Sequence, residues 1–236
     1  MCYNIFGDFM SVKYEIQIIG HIYNDYKEKF GIPRQSGLAK NMISKIVFEK
    51  EFSSKDFFKG LDQFSHIWLL WQFSETIGKE ITPTVRPPKL GGNERIGVFA
   101  TRSPFRPNNI GLSSVKIEKI DLDERIGTIL YVSGADLMNG TPIIDIKPYL
   151  PYTDSHLDAT NGFALDNVEG LLDIICSEEL LSKIPYDKVN GLFETLKHDP
   201  RPSYQNDSER IYGMNYGNKQ VKFKVANNVL TIINIE

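Results

Sequence analysis

Alternating hydrophobic and polar positions predict a series of short β-strands along the first part of the chain. The alternation is clear in KYEIQIIGHIY at residues 13–23 and in SKIVFEK at residues 44–50. The apolar run HIWLLWQF at 66–73 predicts a strand buried on both faces, and the serines and aspartate that open SSKDFFKGLDQF at 53–64 predict a short helix. Further strands are predicted at IGVFAT, GLSSVKIEKI and GTILYVSGA. Strands of similar length separated by turn signals predict a mainly β fold, a closed or nearly closed β-barrel.

The pattern changes in the last third of the chain. Residues 137–170 combine NGTPIIDIKPYLPY with an irregular polar stretch and are interpreted as a linker. A helical period then places four apolar residues on one face: Val189, Leu192, Phe193 and Leu196. Asn227 and Asn228 separate two β-rich runs and predict a two-residue hairpin turn with positive φ. The prediction is therefore a β-barrel domain over residues 13–165 and a smaller C-terminal α+β domain over residues 170–236.

Composition limits the class of protein. The chain has 236 residues, of which 41% are hydrophobic and 24% charged, as in ordinary globular proteins. Two cysteines are too few for a disulfide framework or a thiolate zinc site, and the four histidines form no metal-binding motif, so no metal is expected. The first residues do not resemble a signal peptide and no long apolar window predicts a membrane span, so a cytoplasmic protein with no membrane partner is expected.

Charge is concentrated in one segment although the formal net charge is only −3. Six basic residues and one acid lie between Thr82 and Lys116. Within that segment, prolines fix the backbone on either side of Arg106, and Arg102 lies four residues before it. Such a preorganised pair of guanidinium groups suits an anionic ligand, whereas the plain alternative is a rigid surface turn. Neither a dinucleotide-binding fingerprint nor a phosphate-binding loop occurs, and a serine-nucleophile elbow is also missing.

The same segment resembles a known family. GVFATRSPFRPNNIGLS, preceded by PTVRPPKLGGN and followed by GTPIIDIKPYLPY, is similar to the TsaA-like, or TrmO, family of S-adenosylmethionine-dependent tRNA methyltransferases. YKEKFGIPRQSGLAK, LDQFSHIWLL and DPRPSY resemble further family segments in the same order. Asn109 stands where the family usually has a second proline, which implies a looser turn, and Asn139 stands where many relatives have an acid.

The resemblance implies a non-Rossmann, S-adenosylmethionine-binding barrel (TsaA/YaeB-like) that acts as a homodimer on tRNA carrying threonylcarbamoyladenosine at position 37. Methylation of N6 of that nucleoside is the implied reaction. By position, the implied cofactor-binding residues are Arg34, Gln35, Ser36, Glu75, Thr76, Arg102, Leu112, Asp136, Leu137, Met138 and Asn139. Arginine suits the methionine carboxylate, an aspartate suits the ribose or the amino group, and backbone groups suit the adenine edge.

Other roles stay open at the level of sequence. Methyl transfer to an N6-carbamoyl nitrogen needs a base to remove the nitrogen's proton, and the candidates are Asp136, Asp145 and His66. His66 beside Trp68 also fits a structural histidine of the core. Predicted contacts to the tRNA substrate are Arg106, Arg201 and Tyr204, although Arg201 equally fits an ion pair with Asp199 or Asp207. Two other functions remain as alternatives: a non-catalytic RNA-binding barrel and a methyltransferase of a small molecule.

Overall fold

The computed structural model describes residues 13–87, 90, 93–163, 170–202, 205 and 207–236. In chain order the strands and helices are β1 Gly20–Tyr23, β2 Ile43–Phe48, β3 His66–Gln72, β4 Thr84–Val85, β5 Ile96–Gly97, β6 Ile110–Asp123, β7 Gly127–Ser133, β8 Pro142–Pro148, α1 Pro151–Asp154, β9 Asp173–Ile175, α2 Glu178–Leu181, α3 Tyr186–Lys197, β10 Tyr212–Tyr216, β11 Lys219–Ala226 and β12 Val229–Ile235. Short 3-10 helices occupy several of the connections.

Six antiparallel strands form a closed barrel in the order β1-β2-β7-β6-β3-β8, which confirms the predicted mainly β fold. β8 closes the barrel by pairing with both β1 and β3. It lies inside the predicted linker, and that interpretation was wrong for these residues. Pro142 and Pro148 stand at the two ends of β8, where a missing N–H is tolerated, so the two prolines are compatible with a strand here.

Three local predictions also need correction. HIWLLWQF forms β3, but only Ile67, Leu69 and Trp71 are buried, and the alternate residues lie half-buried on the outer face of the barrel. IGVFAT contributes only β5, which pairs with β4 outside the barrel and continues into a 3-10 turn. SSKDFFKGLDQF forms two 3-10 helices rather than one helix, because Gly60 between them adopts a φ of 87°.

The C-terminal residues form a four-stranded sheet in the order β10-β11-β12-β9, covered by α2 and α3. The predicted helix face is confirmed: Leu192 and Leu196 are fully buried, and Val189 and Phe193 pack partly buried against the same core. The hairpin turn is confirmed as well. Asn227 and Asn228 adopt φ values of 50° and 65° between the paired residues that end β11 and begin β12.

The connection between β1 and β2, here called the 24–42 segment, packs into the C-terminal core rather than into the barrel. Tyr26, Ala39 and Met42 belong to the buried cluster that contains the apolar face of α3. The Tyr26 hydroxyl lies 2.9 Å from Thr195 Oγ1, and burial raises the pKa of this tyrosine. The 24–42 segment therefore joins the barrel to the smaller sheet.

No helix among the described residues is both long enough and apolar enough to cross a membrane.

Candidate functional site

Two segments meet at the end of the barrel where β7 ends. The 24–42 segment lies against the connection from β7 to β8, here called the 134–140 segment. Gly37 N–H donates to the Gly134 carbonyl at 2.8 Å, and Asn139 N–H donates to the Tyr26 carbonyl at 2.8 Å. Asn24 adds two contacts, because its side-chain amide donates to the Leu137 carbonyl and its N–H donates to the side chain of Asn139. These bonds bring most of the residues implied in cofactor binding to one end of the barrel.

The contact between the two segments depends on glycine. A Cβ on Gly134 would lie 3.2 Å from the Gly37 Cα, and both residues adopt positive φ, near 79°. A side chain at either position would therefore strain the backbone, and a side chain at Gly134 would also crowd the crossing. Gly37 and Gly134, to which the sequence analysis gave no role, make this close approach possible.

Asp136 is a half-buried acid at this end of the barrel. The Ser113 hydroxyl donates to Asp136 Oδ1 at 2.6 Å, and Trp71 Nε1 donates to Ser113 Oγ at 3.0 Å. Burial raises the pKa of the Asp136 carboxyl above its usual range, although the Ser113 hydroxyl, the Ser36 N–H and the charge of Arg102 act in the opposite direction. Asp136 thus combines a raised proton affinity with a fixed orientation.

The arginines of the site are held by neighbouring oxygens. Arg102 donates to the side-chain oxygen of Gln35, so two of the implied cofactor residues touch. Arg34 donates to the Arg201 carbonyl at 3.0 Å, and Arg106 donates to the Thr101 carbonyl at 3.2 Å. No ion pair to Arg34, Arg102 or Arg106 is formed within the described part of the chain, so their charge is available to an anionic ligand.

Thr76 and Asn109 connect the loop that carries Arg102 and Arg106 to the end of β3. The side-chain amide of Asn109 donates to Thr76 Oγ1 at 3.0 Å and to the Pro104 carbonyl at 2.8 Å. Thr76 is buried, whereas Glu75 is exposed and lies 3.8 Å from the ammonium of Lys29. The Asn109 amide thus donates two bonds that a proline could not, which acts against the looser turn expected from the missing proline.

Leu112 offers an open backbone edge. Ile117 N–H donates to the Ser65 carbonyl, and Phe73 N–H donates to the Asn109 carbonyl. In this part of β6 the odd-numbered residues therefore form the backbone hydrogen bonds to β3. Antiparallel pairs alternate, and the N–H and C=O of Leu112 therefore point away from β3. β7 pairs with β6 only from Lys116 onward. The backbone of Leu112 thus faces an edge of the barrel that β7 leaves uncovered.

Asp145 and His66 lie on the outer face of the barrel, away from the inward-facing Ser113 and Trp71. Asp145 pairs with Leu70 of β3 and forms a 2.8 Å ion pair with Lys147. His66 begins β3, and its Nδ1 lies 2.9 Å from Ser65 Oγ. The structure therefore brings only Asp136, of the three candidate bases, into the cluster with Arg102 and Gln35.

Arg201 is already engaged by a carboxylate. Its guanidinium donates to both oxygens of Asp199, at 2.8 and 2.7 Å, and both side chains are largely buried. This is one of the two ion pairs considered from sequence, and the carbonyl of Arg201 additionally holds Arg34. Tyr204, the other substrate contact predicted in this stretch, lies outside the described residues.

Sequence reasoning did not find Ser113, Trp71 or Asn24. A signal was present for Ser113, since a serine at an inward position of an alternating strand is a polar group that must find a partner in the barrel. Asn24 and Trp71 carried no comparable signal, because their partners are remote in sequence.

Comparison with known proteins adds independent information. Family models described as the tRNA-methyltransferase O N-terminal domain and the TrmO C-terminal domain match residues 21–155 and 179–236. An Escherichia coli protein named tRNA (adenine(37)-N6)-methyltransferase is 39% identical over 202 residues, which cover 83% of this chain and 86% of that protein. A Pyrococcus abyssi protein, named as an S-adenosyl-L-methionine-binding protein, is 38% identical over 153 residues, 65% of this chain and 77% of its own.

A solved structure has the same architecture over almost the whole length. The crystal structure of TrmO from Pseudomonas aeruginosa superimposes with a TM-score of 0.79 at 31% identity and covers 96% of this chain and 99% of that one. The resemblance noted in the sequence is thereby confirmed by sequence models, by full-length relatives and by fold. The chain belongs to the tRNA-methyltransferase O family.

Proposed function

We propose that this protein transfers a methyl group from S-adenosylmethionine to N6 of threonylcarbamoyladenosine at position 37 of tRNA. The observation that carries the proposal is the half-buried Asp136 carboxylate, oriented by Ser113 and placed near Arg102 and Gln35 at one end of the barrel. An acid and a guanidinium at one site suit a zwitterionic cofactor and a nucleophile that must lose a proton.

The residues present fit S-adenosylmethionine. Arg102 and Arg34 supply guanidinium groups for the methionine carboxylate, and the backbone of Leu112 supplies a donor and an acceptor for the adenine edge. Leu137, Met138 and Asn139 are fixed beside Asp136 by the bonds from Asn24 and to Tyr26. When bound, this cofactor supplies a methyl group on a sulfonium, already activated for transfer, so the protein needs mainly to place the acceptor nitrogen and remove its proton.

Asp136 is the proposed proton acceptor. The N6–H of a carbamoyl adenine must lose its proton as the nitrogen lone pair forms the new bond to carbon. The raised pKa of Asp136 makes its carboxylate a better acceptor than an exposed aspartate would be. The proton therefore ends on the Asp136 carboxyl, and the electron pair of the N–H bond stays on the nitrogen. The bound cofactor would supply the methyl group and keep the electron pair of its carbon–sulfur bond.

Nucleoside mass spectrometry tests the function directly. Purified protein and S-adenosylmethionine are incubated with two tRNA samples that differ only in the threonylcarbamoyl group on adenosine 37. A gain of one methyl on the threonylcarbamoyl nucleoside alone supports the proposal. Methylation of both samples would show that the threonylcarbamoyl group is not required. No methylation of either sample would favour the non-catalytic RNA-binding alternative.

Replacing Arg102 with alanine is expected to weaken S-adenosylmethionine binding about ten- to a hundredfold, because a charge-assisted hydrogen bond contributes roughly 1.5–3 kcal/mol. Titration calorimetry measures the affinity. Arg125, an exposed arginine in the turn between β6 and β7, is the matched control, and Arg125→Ala should bind normally. If the two variants bound S-adenosylmethionine with equal affinity, Arg102 would not be a cofactor contact.

The β4–β5 arm, formed by the two short strands and the residues that flank them, is the proposed contact to the tRNA backbone. Val85 pairs with Ile96, so the adjoining Arg86 and Arg95 stand at neighbouring strand ends. Both are exposed, and neither forms an ion pair with any residue in the described ranges. Phe99, 78% exposed, follows on the same arm. Paired cations beside an exposed ring suit phosphates and an unstacked base.

Replacing Arg86 and Arg95 together with alanine is expected to weaken tRNA binding and to lower the slope of log affinity against log salt by about 1–2, because two phosphate contacts are lost. Affinity for S-adenosylmethionine should stay at the wild-type value. Fluorescence anisotropy with labelled tRNA at several salt concentrations measures the slope, with Arg125→Ala as the control. An unchanged slope would place the RNA elsewhere.

We also propose a homodimer whose interface includes an exposed apolar part of the outer face of the barrel. Ile16, Ile110 and Leu112 expose 54%, 37% and 54% of their surface, and Leu112 pairs directly with the half-buried Leu70. A second copy of the chain would cover these apolar side chains close to the backbone edge proposed for the cofactor. Light scattering at micromolar concentration tests this, and a monomer mass would contradict it.

A further inference from the structure

Behind Asp136, two buried side chains form a hydrogen-bonded network that ends on its carboxylate. Trp71 Nε1 lies 3.0 Å from Ser113 Oγ, which lies 2.6 Å from Asp136 Oδ1. Trp71 is 7% exposed and Ser113 is 1% exposed. Because these groups are shielded from solvent, water does not compete for the bonds, and each group is effectively limited to the partners that the barrel provides.

The chemistry of the three groups gives the network one direction. An indole N–H can only donate, so Ser113 Oγ must accept from Trp71. A serine hydroxyl carries a single hydrogen, and that hydrogen is therefore directed to Asp136 Oδ1. Oδ1 is thereby held as an acceptor, and the carboxyl is also faced by the N–H groups of Ser36 and Asp136 and by the charge of Arg102.

Two neighbouring residues restrict the position of the Trp71 indole. A Cβ on Gly111, which pairs with Trp71 across the strands, would lie 2.3 Å from the indole Cε2, so only glycine leaves room for the ring. Phe73 also packs edge-on against Trp71, at 4.2 Å between ring centroids. Gly111 and Phe73 together define where the indole N–H points.

We propose that Trp71 and Ser113 are positioning residues for proton removal: they hold Asp136 Oδ1 as a hydrogen-bond acceptor and so fix the orientation of the carboxylate that receives the proton from the substrate nitrogen. This inference rests on the proposed function, because it takes Asp136 as the base. It adds two residues that touch neither substrate nor cofactor, and a glycine that makes their geometry possible.

The test measures both the titration of the Asp136 carboxyl and the rate of methyl transfer. Carboxyl carbon NMR of the free protein reports the titration of Asp136, with Asp136→Asn assigning the signal, and kcat/KM for methyl transfer is measured against pH. Ser113→Ala removes the donor to Oδ1, which disfavours the carboxylate, so both the titration and the acid limb of the rate profile should move to higher pH. At pH values below that limb, kcat/KM of Ser113→Ala should be about ten- to a hundredfold lower than that of the wild type, the value of one charge-assisted hydrogen bond.

Matched variants separate positioning from packing. Ser113→Thr keeps a hydroxyl and should restore the wild-type titration, whereas Ser114→Ala, on the opposite face of β6, should change nothing. Gly111→Ala keeps all three hydrogen-bonding side chains but displaces the indole, so it should shift the titration in the same direction as Ser113→Ala. Thermal unfolding of each variant confirms that the fold is intact.

Two outcomes overturn the proposal in distinguishable ways. If neither Ser113→Ala nor Gly111→Ala moves the Asp136 titration in a folded protein, the network does not control the carboxyl, and the proposed function is untouched. If the titration moves but the rate profile does not, Asp136 is not the base, and the proposed mechanism fails. The NMR measurement needs neither tRNA nor cofactor, which keeps the two failures apart.

Discussion

Asp136→Asn is expected to lower kcat/KM for methyl transfer by about 10²- to 10⁴-fold, the usual contribution of a positioned general base. The change preserves the size of the side chain and its ability to accept from Ser113, so the loss should come from proton removal rather than from unfolding. In the wild type, activity should fall as the pH drops through the pKa of Asp136, because the base must be deprotonated. Burial raises that pKa, so the acid limb should lie above the titration range of an ordinary aspartate.

Asp145→Asn and His66→Gln provide the comparison for Asp136→Asn. Both residues were candidates in sequence, and the structure places both on the outer face of the barrel. Single-turnover kinetics with saturating cofactor, together with calorimetry for cofactor affinity, separates loss of chemistry from loss of binding. A larger loss in either comparison variant than in Asp136→Asn would transfer the role of base to that residue.

Tyr26→Ala is expected to reduce the free energy of unfolding by about 3–5 kcal/mol, as for other large aromatic residues removed from a core. Tyr26 is 1% exposed in the C-terminal core and bonded to Thr195, and it also belongs to the segment that carries Arg34, Gln35 and Ser36. The same substitution should therefore weaken S-adenosylmethionine binding as well, although Tyr26 itself is not among the residues implied in contacting the cofactor.

Tyr152→Ala is the matched control, since Tyr152 is 86% exposed. Urea denaturation followed by fluorescence gives the two free energies, and calorimetry gives the two affinities. If Tyr26→Ala destabilised the protein without any change in cofactor affinity, packing of the 24–42 segment against the C-terminal core would not be needed to form the site.

Much of this protein follows from local sequence. The strand signals in GLSSVKIEKI and GTILYVSGA predicted β6 and β7, the 3.6-residue period predicted the buried face of α3, and paired asparagines predicted the last hairpin turn. These features depend on side chains close together in the chain, where periodicity and turn chemistry act directly. The motifs around Arg102 also carried the family resemblance.

Other features exist only in the folded molecule. Pro142–Pro148 became a strand because β1 and β3 both present an edge to it, and the 24–42 segment left the barrel because Tyr26 and Met42 complete a core more than 150 residues further along the chain. Asp136 acquired its partners in the same way. Ser113 and Trp71 reach it only when β3, β6 and the end of β7 meet, so its raised pKa and fixed orientation come from burial and long-range hydrogen bonds, which no local pattern encodes.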